Sequence, residues 1–309
     1  MCVAGTRIIL FCLQSFRYHT MKSRSIAHNT SMAQQSFLYR FGDLEYNLAA
    51  RTHIMGIVNV TPDSFSDGGT YFDAERAVAH GLALAEEGAD FLDIGGESTR
   101  PGSEPVSAEE ELHRVVPVIE QLTTRCPIPI SVDTYKSVVA DAALEAGAVI
   151  VNDISGLTFD PQMAMVTAKH HASIVLMHIK GAPKTMQHNP QYQNVTVEVK
   201  EFLRTQAAEA QAAGIQQIII DPGIGFGKMF EHNIQLLREL HSLNDLPFPL
   251  LVGISKKTFL GTILNLPPKE REEGTAVATT ISILNGAHII RVHDVKTMKR
   301  VALVADALK

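Results

Sequence analysis

Polar residues recur in this chain at one kind of place, the end of a short apolar run. Asn59, Asp93, Asp133, Asn152, Asp221, Ser255 with Lys256 and Lys257, and Arg291 with His293 all stand there. Taken singly, an Asp, Asn or Ser after a strand has an ordinary use as the cap of the next helix. Taken together, they converge on one mouth if the runs are strands of a single barrel. Asn59 is the lone polar side chain of the run Gly56–Val60; unpartnered burial would cost it roughly 1–3 kcal/mol, so it needs a specific partner. Arg291 and His293, two residues apart on a strand, share a face. An inward pair of cations calls for an anion.

The segment Asp221-Pro-Gly-Ile-Gly-Phe-Gly-Lys228 looks like a phosphate loop and fails its tests. Gly223 and Gly227 are one residue too close for a P-loop, and Met229 rather than Ser or Thr follows the lysine. A dinucleotide fingerprint would need glycine where Lys228 stands. The expectation is therefore that these glycines let backbone approach a flat ligand while Asp221 accepts hydrogen bonds from it. The 13 histidines show no zinc spacing, and His170, His171 and His178 read as structural.

These residues must be positioned by elements of regular spacing. The opening strand ends at Val60 and runs into the polar loop Thr61–Gly69. Before it, Phe37–Tyr39 and Tyr46–Leu48 flank Gly42-Asp43 and predict a short hairpin. After it, Ala77, Val78, Leu82 and Ala85 recur at helical spacing, Phe91–Ile94 is a strand, and Ser107-Ala-Glu-Glu110 is a capping box opening a helix. The cycle continues through strands at 128–133, 149–153, 172–177, 218–221, 250–253 and 289–293, with helices at about 195–213, 232–243, 274–285 and 295–308 among those between and after them. Continuous apolar strands alternating with helices predict parallel β-structure. Eight such units over the 309-residue chain match a TIM (β/α)8 barrel with an N-terminal β-hairpin better than the doubly wound open sheet that is the alternative. Such barrels carry their sites at the strand C-termini.

Composition narrows the function classes. The chain is 45% hydrophobic and 19% charged, with a net charge of −6, and it has no long basic stripe, so no nucleic-acid partner is expected. Cys2, Cys12 and Cys126 form no metal or disulfide framework, which fits a cytoplasmic location. Residues 1–36 lack periodicity. Their apolar cluster Ile8–Leu13 is shorter than a signal-peptide core and far short of the ~20 residues of a membrane span. They read as a disordered tail or a start assigned too early, with Met21 or Met32 as alternatives, ahead of a catalytic domain at 37–309.

From about Phe37 onward the chain resembles the dihydropteroate synthase family. The motifs Asn59-Val-Thr-Pro-Asp-Ser-Phe-Ser-Asp-Gly-Gly69, Gly95-Gly-Glu-Ser-Thr-Arg-Pro-Gly102, Val132-Asp133, Asn152-Asp153, Met177-His178, Asp221–Lys228, Ser255-Lys-Lys257 and Arg291-Val-His-Asp294 follow the family's order. The resemblance implies a homodimeric barrel that joins 6-hydroxymethyl-7,8-dihydropterin pyrophosphate to p-aminobenzoate, and a sulfonamide target. It implies that Asp133, Asn152, Asp221 and Lys257 read the pterin, that Phe226 lines its site, and that Arg291 and His293 hold the pyrophosphate, which Asn59 shares with Mg²⁺. It further implies that Lys257, Asp221 and Arg291 act in the reaction. Thr61–Gly69 and Ser98–Ser103 resemble two mobile loops, with Thr99 and Arg100 near the incoming amine. Thr258, just past the seventh strand, stands where a helix N-terminus would offer N–H groups to the aminobenzoate carboxylate, a site its hydroxyl would complete.

Where the family reads Ser-Arg-Lys-Ser after the seventh strand, this chain has Ser255-Lys256-Lys257-Thr258. Lysine lacks the planar fork of arginine. A pterin-dependent methyltransferase domain and a non-catalytic pterin-binding paralogue are the competing readings. The first has no use for a pyrophosphate clamp.

Overall fold

A computed structural model describes residues 36–61 and 70–309. Residues 1–35 of the expected tail and residues 62–69 of the first loop lie outside the described residues.

The chain opens with an antiparallel hairpin, β1 (Leu38–Phe41) and β2 (Leu44–Asn47). Eight parallel strands follow: β3 (His53–Asn59), β4 (Phe91–Gly95), β5 (Ile130–Asp133), β6 (Ile150–Asp153), β7 (Ser173–Met177), β8 (Ile218–Asp221), β9 (Leu251–Gly253) and β10 (Ile289–Val292). Each pairs with its sequence neighbours, β10 pairs back onto β3, and the single bridge Ile220–Leu250 joins β8 to β9. The expected TIM barrel is the observed fold.

The outer layer comprises α1 (Thr70–Glu86), α2 (Ala108–Arg125), α3 (Ser137–Glu145), α4 (Met163–Lys169), α5 (Val195–Ala212), α6 (Phe230–Arg238), α7 (Thr258–Leu264), α8 (Glu272–Leu284) and α9 (Val295–Leu308). The predicted capping box opens α2, where the Ser107 hydroxyl accepts the Glu110 N–H. The helix expected at 232–243 instead divides into α6 and a 3₁₀ turn, Leu240–Asp245. In that tighter geometry residues three apart eclipse, and Leu240 and Leu243 are both buried.

Alternation along the strands separates two apolar cores. Ile54, Leu92, Val132, Val151, Ile174, Ile220, Val252 and Ile290 pack outward under the helices. Met55, Phe91, Ile150, Val175, Ile219, Leu251 and Ile289 point into the barrel, where Phe37, Phe41 and Leu48 of the hairpin region close the N-terminal end. Tyr39 ties the plug down by donating its hydroxyl to the Ile218 carbonyl at 2.6 Å. One alternation period beyond these inward residues stand Asp93, Asn152, Asp221 and Arg291. The same register that fills the bottom of the barrel with apolar side chains therefore delivers the polar ones to its upper end.

Candidate active site

Arg291 is the centre of the barrel mouth. Its Nε donates to Asp93 Oδ2 and its Nη2 to Asp133 Oδ2, each at 2.5 Å, while Asn152 Nδ2 donates to the same Asp93 oxygen at 2.9 Å. Neighbouring strands make this possible, since Asp133 is in register with Gly95 on one side and Asn152 on the other. The second oxygens of both carboxylates, Asp93 Oδ1 and Asp133 Oδ1, are buried with no hydrogen-bond partner. Buried acceptors of this kind are met by an ordered water, an ion or the donors of a ligand. Burial pushes the Asp133 carboxyl up to about 7 against the opposing pull of Arg291. Arg291, despite its burial, is held above its ordinary value by Asp93 and Asp133.

Asp221 lies next in the ring. Its Oδ1 accepts the Gly223 N–H at 2.7 Å, and no group among the described residues engages Oδ2. Burial raises this carboxyl to about 6. Lys257 Nζ sits 4.0 Å from the centre of the Phe226 ring, and burial pulls the ammonium down to about 8 although Asp221 supports it. The backbone at Lys256 is left-handed (φ +59°), a conformation costly for a side-chain-bearing residue. That turn sends Lys256 Nζ to Glu272 Oε1 at 2.8 Å while Lys257 stacks over Phe226. The departure from arginine at 256 thus falls on a side chain paired with α8. Thr258, exposed, is the first residue of α7.

Two expectations need correction. His293 is not a cation: burial, then Arg291, Lys256, Arg100 and Lys257, depress it to about 3, so it is a neutral hydrogen-bonding ring whose Nδ1 meets Ser255 Oγ at 2.9 Å. The positive charges that depress it still form a field suited to an anion, and they include Arg100 of the loop after β4. Second, two glycines of the 221–228 segment serve packing between loops rather than a ligand. A Cβ at Gly223 would lie 1.9 Å from the His178 carbonyl oxygen, and one at Gly227 2.3 Å from that of Lys180. Lys228, buried, donates to the carbonyls of Gly223, Phe226 and His178 and meets His178 Nδ1 at 2.9 Å, which knots the segment from within. His178, expected to be structural, is buried and holds Lys228 through its ring and its carbonyl.

Asn59 ends β3 at the mouth, half-buried, with no hydrogen bond to its side chain among the described residues. One amide oxygen is too small a donor set for a resident Mg²⁺, which prefers carboxylates with substrate phosphates and water. It fits an ion that arrives with a phosphate. The other grouping of ligand type among the described residues, Asp141, Glu145 and His170, lies on α3 and at the end of α4, where Lys169 and His170 already contact Asp141. Thr99 and Arg100 lie in the loop after β4, half-buried and exposed respectively. A recess of about 520 Å³ between Lys180 and Glu198 contains none of the mouth residues.

Asp93 is the member of the site that strand-end reading undervalued. It stands at the right place in the sequence, but its role comes from a partner 198 residues away.

Residues 55–293 match the model of the pterin binding enzyme family. The chain is 49% identical over 270 residues to a dihydropteroate synthase of Synechocystis, covering 86% of this chain and 93% of that one. It is similar to two solved structures of the dihydropteroate synthase of Xanthomonas albilineans. The one with 4-aminobenzoic acid is 44% identical with a TM-score of 0.83, covering 88% of this chain and 98% of that one. The one in complex with 7,8-dihydropteroate is 43% identical with a TM-score of 0.77, covering 85% and 95%.

Proposed function

Because the chain belongs to the dihydropteroate synthase family, we propose that it condenses 6-hydroxymethyl-7,8-dihydropterin pyrophosphate with p-aminobenzoate, giving 7,8-dihydropteroate and pyrophosphate for folate synthesis. The observation that carries this reading is the set of carboxylate oxygens without donors, on Asp93, Asp133 and Asp221, gathered beside Arg291 and Lys257. The amino-pyrimidinone edge of a pterin supplies the missing donors. Asp221, Asp133 and Asn152 read that edge, Lys257 and Phe226 flank the ring system, and the reacting methylene is directed outward.

In the reaction the methylene carbon–oxygen bond breaks, and its electron pair leaves with pyrophosphate. The nitrogen lone pair of p-aminobenzoate then forms the new bond, and the amine proton passes to solvent. The dihydropterin spreads the positive charge left on the methylene, so the protein mainly positions the reactants and screens charge. Arg291 Nη1, which no hydrogen bond occupies among the described residues, and neutral His293 face the departing anion. Mg²⁺ would be held by Asn59 together with pyrophosphate oxygens and would supply further charge neutralisation. Thr99, Arg100 and Thr258 serve the aminobenzoate.

The pterin-dependent methyltransferase reading is disfavoured, because it has no need of the cations around His293. A homodimer is in keeping with the exposed Ile263, Val277, Ile281, Leu284, Leu303 and Val304 on α7, α8 and α9. The small-molecule chemistry suits the cytoplasm, and among the described residues no helix is long and apolar enough to cross a membrane.

Equilibrium titration with a plain 6-hydroxymethylpterin tests the pterin site without reference to turnover. Saturable binding at one site per chain, competed by the pyrophosphorylated substrate, is expected. Absence of binding would dismiss the reading.

A further inference from the structure

The loop that carries Thr99 and Arg100 is closed at its neck by a side chain outside the mouth. Glu97 is buried, and its Oε2 accepts the Val106 N–H at 3.1 Å, so one carboxylate joins the two ends of the loop. The same oxygen accepts from Lys136 Nζ at 2.5 Å, and Oε1 accepts the Tyr135 hydroxyl at 2.6 Å. Tyr135 and Lys136 lie in the loop after β5, two and three residues after Asp133. Lys136 also pairs with Glu111 of α2, and Arg114 of the same helix donates to the Gly96 carbonyl at 2.7 Å. The base of the loop lies tight against that helix, since a Cβ on Gly96 would approach Val115 Cγ1 to 2.8 Å. Beyond the neck, the loop's remaining anchors are thin: Gly102 N–H donates to the Pro183 carbonyl at 3.2 Å, and the Lys184–Glu104 pair is exposed.

We propose that Glu97 is a positioning residue for the second substrate: by clamping Val106 and engaging Tyr135 and Lys136, it holds the loop so that Thr99 and Arg100 face the amine, in fixed relation to Asp133. The proposal rests on the assignment of Thr99 and Arg100 to the aminobenzoate side. A carboxylate suits the task better than an amide, because it accepts from three donors at once and its partners include a cation. The electrostatic pairing of Lys136 is shared with Glu111 of α2, which ties the neck to that helix as well.

The test uses the full chain with Glu97→Gln and with Tyr135→Phe, a milder change that removes only one hydroxyl. Amide hydrogen exchange at Val106 reads the clamp without substrate, and steady-state kinetics read its purpose. Glu97→Gln is expected to lose protection at Val106 by at least 10-fold and to raise the KM for p-aminobenzoate by about 10-fold, with binding of plain pterin within 2-fold. Tyr135→Phe should move the same quantities in the same direction, by about 3-fold. Unchanged protection, or lost protection with an unchanged aminobenzoate KM, would overturn the proposal, as would equal losses for both substrates. A wild-type protein that binds pterin yet ignores p-aminobenzoate would instead overturn the function on which it rests.

Discussion

Replacing Arg291 by methionine is expected to destabilise the protein by roughly 3–5 kcal/mol and to lower turnover by about 10²–10³-fold. The guanidinium is the shared partner of Asp93 and Asp133, which are 0% and 9% exposed, so its removal strands two carboxylates where water reaches them poorly. Methionine fills the space without supplying charge. With its cation gone, Asp133, already pushed up to about 7 by burial while Arg291 is in place, is driven further toward the protonated form. Such a group favours the fold at low pH and penalises it as pH rises. The stability deficit should therefore widen as pH rises above about 7. Adding Asp93→Asn to the variant should recover part of the melting temperature by removing one stranded charge, yet no turnover. An unchanged melting temperature in the single variant would show that the pairs are not formed in solution.

Asp221→Asn is expected to leave the fold intact and to weaken pterin binding and kcat/KM for the pterin substrate by about 10²–10⁴-fold. An asparagine oxygen can keep the Gly223 N–H bond, and loss of a buried carboxylate that already sits high removes a desolvation burden. Toward the ligand the change is adverse, because the oxygen that accepted from the pterin edge becomes an amide donor facing donors. Two hydrogen bonds to a charged acceptor are worth roughly 1.5–3 kcal/mol each, which sets the range. Melting curves and pterin titrations on the same preparation separate this outcome from that of Arg291→Met. Pterin affinity within twofold of the wild type would remove Asp221 from the reading edge.

The contrast between these two residues marks how far the sequence could be read. Barrel, hairpin and the Ser107 cap were legible because each rests on local spacing: period two in the strands, Gly42-Asp43 between short apolar runs, and a serine three residues before Glu110. The placement of Asp133, Asn152, Asp221 and Arg291 at strand ends was legible for the same reason. What each does there was not, because it depends on neighbours brought in by closure. Arg291 looks like a free anion clamp until Asp93 and Asp133 are seen on its other side. His293 looks like a second cation until the charges around it are counted. Gly223 and Gly227 look like ligand-facing glycines until the loop after β7 is found pressed against them. Glu97 stood within a recognised motif but two residues past the strand end, where a rule about strand ends has nothing to say.

The most direct test of the central claim is release of pyrophosphate from dihydropterin pyrophosphate by the purified chain with Mg²⁺, measured with and without p-aminobenzoate. Release is expected to depend on the added amine, to saturate with it, and to match 7,8-dihydropteroate formed one for one. Pyrophosphate release that ignores p-aminobenzoate, or tight pterin binding with no release under any condition, would contradict the claim.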